Sequence, residues 1–416
     1  MLNKKKNNKF ATLTIVADWA YGLIFTFLDK NMKVVFIIKS FAMKAGVERL
    51  MSDKMNYMAE HGHIVTLITY EQGTHSEPFS LNESIKHVDL DTRFFILKKH
   101  KLYRRIIEHR RLRQTFKKRL QQVIDDLQPD IINITTYSIN LIGIIINLRC
   151  RAKKTIESHV SFDSILKEDD YKGKGILHII ARFYDAYLFN KLKNFDALFA
   201  LTNGDALHWE KYVKTVHVIP NPLTTYPEHV KEHHETHHRI ICAGRLDYQK
   251  GYDLLIEAFS LIADKCPKWH IDIFGSGEEE RALCKMISQK GLEERIFIHP
   301  ATDHIYEEYQ NSDFLVFSSR YEGWGLVLVE AMACGIPTVS FRCNYGPEEI
   351  VTNDVDGLLV KNGDIQELSD KIFWMITHPQ QREKMGINAR IAVSKYKKEP
   401  IFHKWLTILN DLIEKS

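Results

Sequence analysis

The sequence predicts an α/β protein made of two doubly wound halves joined by a hinge, with a cleft between them. Three observations carry that expectation. Short apolar runs alternate with stretches of helical spacing from one end to the other. A polar stretch marked by Pro220 and Pro222 divides the chain near its middle. The length of 416 residues suits two domains at the usual ~100–200 residues each. A composition of 44% hydrophobic and 26% charged residues excludes a disordered chain, a collagen-like fibre and a polytopic membrane protein.

Residues 1–31 stand apart. Lys4, Lys5, Lys6 and Lys9 precede the mostly apolar run Ala11–Leu28, which carries Asp18 near its middle. The charge argues against a spanning helix, and Phe27-Leu28-Asp29-Lys30 offers no small-residue cleavage site. Three readings stay open: an extension with no role in the fold, an interfacial membrane segment, or a signal. Met32–Ile38 then reads as a buried first strand, which makes Met32 a second candidate start. Gly46–His61 carries helical spacing, Ile64–Thr69 reads as a strand, and Asp130–Ile134 and Thr155–Glu157 follow as short extended runs. Leu141–Leu148 is too short to cross a bilayer and reads as a core helix. Alternation of this kind predicts parallel strands with crossover helices.

Lys98–Arg119 holds eleven Lys and Arg against Glu108 alone, a local +10 in a chain whose net charge is +4. Leu102, Ile106, Phe116, Leu120 and Ile124 recur there at roughly helical intervals. The run reads either as a solvated helix face or as a surface on which Arg104, Arg105, Arg110 and Arg111 meet anionic lipid head groups or a lipid-diphosphate acceptor. Nucleic acid is not expected as a partner, because aromatics are too few to interleave with bases and the overall charge is small.

Val218-Ile219-Pro220-Asn221-Pro222 closes the first half, and a polar linker runs to His238. His234-Glu235-Thr236-His237-His238 matches the zincin pattern H-E-x-x-H, which requires both histidines on one helix face. No apolar stripe supports a helix there, so no zinc site is expected. Six scattered cysteines without a C-x-x-C pair form neither a disulfide framework nor a zinc site, and a reduced, cytoplasmic enzyme is expected. Arg239–Ala243 opens a second α/β series, continued by Ile271–Phe274, Ile296–Ile298, Phe314–Phe317 and Thr338–Phe341. The expected organisation is an extension at 1–31, a first Rossmann-like domain at 32–220, a linker at 221–238, a second at 239–395, and a last helix at 396–416 crossing back.

Two clusters carry chemistry. Ala243-Gly244-Arg245-Leu246-Asp247-Tyr248-Gln249-Lys250-Gly251 follows a strand and precedes a helix. Its guanidinium and ammonium suit a diphosphate, the arginine gripping two oxygens and the lysine acting as a point charge. Ser318 to Gly335 also follows a strand. Its Gly323-Trp324-Gly325 turn opens a helix at Leu326 whose free amides make an anion site. Glu322 and Glu330 would edge the same cleft, and a carboxylate accepts two hydrogen bonds from a vicinal diol well. A sugar nucleotide combines those features: sugar diol, diphosphate, ribose diol.

The Glu322-x7-Glu330 spacing, the Gly-Arg-Leu-x4-Gly loop and the Ile-Pro-Asn-Pro linker resemble the retaining nucleotide-sugar glycosyltransferases of family 4, which have the GT-B fold of two Rossmann-like domains facing across a cleft. Ser340 to Ile350 further resembles bacterial members that build capsule, exopolysaccharide, lipopolysaccharide or lipid-linked oligosaccharide. The resemblance implies transfer of a hexosyl or N-acetylhexosaminyl group from a UDP-sugar donor to a glycan or lipid-linked acceptor, with no metal and no cofactor. It puts Arg245 and Lys250 on the donor diphosphate, Glu330 on the ribose, Glu322 towards the transferred sugar, and the amides of Trp324, Gly325 and Leu326 on sugar and phosphate, with Gly244 and Gly323 in the same loops. Gly46 matches the glycine loop after the first strand, where Ala45 replaces a frequent second glycine, and His159 matches a histidine at the cleft edge. Gly275-Ser276-Gly277 is likewise placed near the nucleotide, and Glu349 fits either the donor or a helix cap. The enzyme is expected in the cytoplasm, with peripheral contact at the inner face of the cell membrane. Two rivals share the cleft: a nucleotide-sugar epimerase and an inactive sugar-nucleotide-binding partner subunit.

Overall fold

The computed structural model describes residues 31–43, 46–99, 101–162, 186–230 and 236–415. The segment 1–30, Ala45, and His234 and Glu235 of the zincin-like run lie outside the described residues.

The first half contributes strands β1 (Lys33–Ile38), β2 (Ile64–Thr69), β3 (Lys86–Asp89), β4 (Ile131–Thr135), β5 (Lys153–Glu157), β6 (Ala197–Ala200) and β7 (Val216–Val218). They pair in parallel as a seven-stranded sheet in the order β3-β2-β1-β4-β5-β6-β7. The second half supplies β8 (Arg239–Ala243), β9 (His270–Phe274), β10 (Ile296–His299), β11 (Phe314–Phe317), β12 (Thr338–Phe341) and β13 (Gly357–Val360), a six-stranded parallel sheet ordered β10-β9-β8-β11-β12-β13. Helices cover both sheets, which explains why β1, β2, β4 and β11 are apolar along almost their whole length rather than alternating. This is the GT-B arrangement.

The order of strands reverses between β1 and β4, and again between β8 and β11. Crevices open at such reversals, outside the carboxyl ends of the strands. The chain leaves β1 towards Gly46, the first residue of the helix Gly46–Glu60, and leaves β8 towards Gly244. Both glycine loops therefore start at a switch point.

Packing joins the halves. The last helix, Lys398–Glu414, lies on the first sheet: Trp405 stacks on Phe36 at 6.1 Å and Phe402 meets Tyr57 at 5.2 Å between ring centroids. One continuous core runs from Phe36 and Met55 through Trp405 to Leu328 and Met332 of the second half. The helix Leu102–Leu127 buries Phe116, Leu120 and Ile124 against the first sheet, each side chain worth about 1.5–3 kcal/mol. Ile106 departs from that stripe and is 50% exposed, beside Tyr103 at 59% and Ile107 at 62%. Among the described residues no helix is long and apolar enough to cross a membrane.

Candidate active site

The loop after β8 is built by its own capping. Asp247 sits at the start of the short turn Tyr248–Lys250, and its carboxylate accepts from the Lys250 amide at 3.2 Å. Gly251 then takes φ 63°, and a Cβ there would come 2.2 Å from the Ser318 carbonyl oxygen. Only glycine permits both the left-handed backbone and that approach. The loop after β11 is fastened to it at several points. Ser318 Oγ donates to the Lys250 carbonyl at 2.9 Å, Gln249 Nε2 to the Tyr321 carbonyl at 3.0 Å, and the Arg320 amide to the Gln249 carbonyl at 2.8 Å. The Arg320 guanidinium forks onto Asp253 at 2.9 and 2.6 Å and stacks 4.0 Å over the Tyr248 ring.

This scaffold brings Lys250 and Glu322 together. Lys250 Nζ donates to Glu322 Oε1 at 2.6 Å, Ser319 Oγ donates to the same oxygen at 2.8 Å, and the ammonium lies 5.4 Å from the centre of the Phe317 ring. Both charged side chains are largely buried. Arg245 is different: its side chain is 74% exposed, with Nη2 at 3.1 Å from Asp247 Oδ2 and 3.4 Å from Gln249 Oε1. An ammonium has three donors and a guanidinium five, so neither cation is exhausted by these partners. Asp247, Ser319 and Arg320 were not singled out from the sequence. The aspartate three residues before Lys250 was a readable cap signal.

Gly275-Ser276-Gly277, expected near the nucleotide, supports the loop from beneath. The Gly244 amide donates to the Phe274 carbonyl at 3.0 Å and the Leu246 amide to the Ser276 carbonyl at 3.0 Å, while a Cβ on Gly277 would lie 2.2 Å from the Leu246 carbonyl oxygen. Those glycines admit another stretch of backbone.

Gly325 precedes the helix Leu326–Ala333, and a Cβ on Gly46 of the first half would lie 3.9 Å from Leu326 Cδ1. The first residues of two helices, each end a partial positive charge, thus come close to one another. Gly323 packs on the first half as well, its Cβ position 3.2 Å from the Ser161 amide nitrogen. Trp324 is buried edge-on against Tyr396, ring centroids 5.0 Å apart, so its side chain belongs to the core. Glu330, in the second turn, is pushed up to about 7 by burial, against the opposing pull of the Tyr309 hydroxyl and of Arg49 from the first half.

His159 lies two residues before the Ser161 contact, its side chain 2% exposed, with Nε2 3.3 Å from Glu157 Oε2. Lys54 also reaches that carboxylate, Nζ to Oε2 at 2.6 Å, and holds Glu157 down to about 2 despite burial, with help from His159. Neither Lys54 nor Glu157 was anticipated, although Glu-x-His at 157–159 was visible. Glu349 proves to be a cap: its carboxylate accepts from the Asn203 and Gly204 amides at 2.9 Å each, at the start of the helix Asn203–Trp209 in the opposite half. Arg104, Arg105, Arg110 and Arg111 are exposed on the helix Leu102–Leu127, remote in sequence from these loops. Among the described residues no group of three or more His, Cys, Asp or Glu could hold a metal ion.

Known proteins resemble this chain in sequence and in fold. Residues 227–392 match the model of glycosyl transferases group 1, and residues 45–225 that of Glycosyltransferase Family 4. An uncharacterized glycosyltransferase of Haemophilus influenzae is 26% identical over 381 residues, 91% of this chain and 99% of that protein. A poly(glycerol-phosphate) alpha-glucosyltransferase of Bacillus subtilis is 26% identical over 63% of this chain, which spans only 39% of that protein's length. The crystal structure of a TarM mutant from S. aureus, in complex with Fondaparinux, alpha-GlcNAc-glycerol and UDP, superposes with a TM-score of 0.71 over 91% of this chain and 100% of that one, at 16% identity. At that identity the likeness is one of fold. The fold and its cleft are those of the GT-B class. Within it, the chain is related to the group 1 and family 4 glycosyltransferases.

Proposed function

We propose that the protein is a retaining glycosyltransferase. It moves a hexosyl or N-acetylhexosaminyl group from a UDP-sugar to a saccharide or lipid-linked acceptor in surface polysaccharide synthesis. The observation that carries this reading is the Lys250–Glu322 pair, 2.6 Å apart, between the cationic loop after β8 and the amino end of the helix Leu326–Ala333. Heterolysis at an anomeric carbon builds negative charge on the departing diphosphate. Arg245, Lys250 and the amides of Trp324, Gly325 and Leu326 stabilise that charge where it develops, which is usually the largest catalytic contribution. Glu322 holds Lys250 in place and accepts from the sugar hydroxyls. Glu330 accepts from the ribose diol, and the glycines 46, 244 and 323 let backbone approach the donor closely. His159 faces the transferred sugar from the first half. The positive charge that a metal would otherwise supply comes from two cations and a helix end. The UDP in the TarM complex and the acceptor named for the Bacillus relative support the substrate classes.

The exposed arginines 104, 105, 110 and 111, with Tyr103, Ile106 and Ile107 beside them, support docking at the anionic inner face of the cell membrane. Docking there would bring the protein to a lipid-linked acceptor.

A panel of UDP- and GDP-sugars, incubated without acceptor and followed by NMR, tests the reading. Slow release of free sugar with UDP from one donor is expected. Epimerised nucleotide sugar, or no reaction and no binding with any donor, would overturn it.

A further inference from the structure

The cluster Lys54, Glu157, Asn133 and His159 lies in the first half, at the carboxyl ends of β4 and β5. Glu157 is the last residue of β5, and both its oxygens are occupied. Oε1 accepts from Asn133 Nδ2 at 2.7 Å, and Asn133 in turn accepts from Thr155 Oγ1 at 2.9 Å. Oε2 accepts from Lys54 Nζ at 2.6 Å and stands 3.3 Å from His159 Nε2. The Lys54 ammonium also lies 4.5 Å from the centre of the Trp405 ring. Every member is buried.

A buried Lys–Glu pair contributes little net stability, because desolvating both ions offsets their attraction, and well-packed apolar side chains often do as well or better. Its presence asks for another reason. The imidazole supplies one. Neither ring nitrogen of His159 makes an aligned hydrogen bond among the described residues, and both are buried. An unsatisfied buried nitrogen is costly, and its partner is usually supplied by something that binds. Contacts of this kind are often long in the ligand-free state and tighten when substrate arrives.

We propose that Lys54, Glu157 and Asn133 are positioning residues that fix the ring orientation and tautomer of His159, holding its proton on Nε2 and leaving Nδ1 as the bare acceptor of the ring. Asn133 fixes the carboxylate plane, and Lys54 keeps the carboxylate charged, so the acceptor facing Nε2 is always present. A carboxylate partner of this type sets which imidazole nitrogen carries the proton. Its use towards a sugar hydroxyl, which must first gain access to the covered nitrogen, rests on the glycosyl-transfer reading; the tautomer does not.

The test uses the full chain labelled with ¹⁵N-histidine, the His159 signals assigned by their loss in His159→Gln. In the wild type without donor, the imidazole ¹⁵N–¹H spectrum is expected to show one tautomer, protonated at Nε2. Lys54→Met combined with Glu157→Gln leaves no unpaired charge and preserves the bond to Asn133. That variant is expected to keep the wild-type urea midpoint, lose the single Nε2–H tautomer, and lose roughly 10- to 100-fold in turnover of whichever sugar nucleotide the panel identifies. A wild-type spectrum with the proton on Nδ1, or an unchanged Nε2–H tautomer in the double variant, would overturn the proposal. If no donor is ever turned over, the spectrum still decides it.

Discussion

Lys250 and Glu322, 72 residues apart in sequence, meet at 2.6 Å. Their contact joins the turns that follow β8 and β11, the strands on either side of the second sheet's switch point. Ser319 shares the same carboxylate oxygen at 2.8 Å, so the ammonium is held by a partner that is itself held. A lysine fixed in this way costs little reorganisation when charge appears beside it.

Glu330 predicts a pH dependence of donor binding. Its carboxyl is raised to about 7, above the ~4.3 of an unfolded glutamate. The folded protein therefore holds this proton more tightly, and stability from this group is present at low pH and lost as pH rises from ~4.3 through about 7. The ionised carboxylate is the better acceptor for a ribose diol. UDP affinity measured by calorimetry is expected to weaken as pH falls through about 7, and Glu330→Gln to bind UDP more weakly with a flat profile over that range. A wild-type profile as flat as the variant's would remove Glu330 from the ribose.

Glu349 predicts a cross-domain effect. Its carboxylate caps the helix Asn203–Trp209 of the other half. Glu349→Ala is expected to cost about 1–2 kcal/mol in urea unfolding, and to speed hydrogen exchange at the Asn203 and Gly204 amides above the rest of the chain. Exchange at those amides equal to wild type would show that the cap contributes nothing.

The exposed arginines predict a lipid preference. Each is worth roughly 1 kcal/mol near an anionic surface. Co-sedimentation with phosphatidylglycerol vesicles at low salt is expected for the wild type, and its loss when Arg104, Arg105, Arg110 and Arg111 are all changed to glutamine. Equal sedimentation of the two proteins would return this face to ordinary solvation.

What was legible in the sequence follows from burial. Strands β1, β2, β4 and β11 are largely apolar runs because helices cover both their faces, and such runs are readable. Strand β3, Lys-His-Val-Asp, is only half-buried at a sheet edge, β6 is half alanine, and β7 has three residues. Those elements are strands because neighbours pair with them, which no local pattern records. The periodicity over Leu102–Ile124 was visible, yet Ile106 is exposed, because the stripe buries only where a sheet lies beneath it. In the cleft, the glycines and cations of Gly244–Gly251 and the Gly323-Trp324-Gly325 turn could be read. The partners of those residues could not: Lys250 with Glu322, Lys54 with Glu157, and Glu349 with Asn203 all join distant segments. Gly275 and Gly277 make room for the neighbouring loop's backbone, a close approach that joins distant segments and leaves no local pattern.

The central claim is that the Lys250 ammonium stabilises the departing diphosphate. Turnover of the identified UDP-sugar by Lys250→Met tests it most directly, since methionine keeps the packing against Phe317 and removes only the charge. The expected result is a fall in kcat of ~10²-fold or more, roughly 3 kcal/mol of transition-state stabilisation, in a protein that still unfolds cooperatively. Wild-type kcat in that variant would contradict the account.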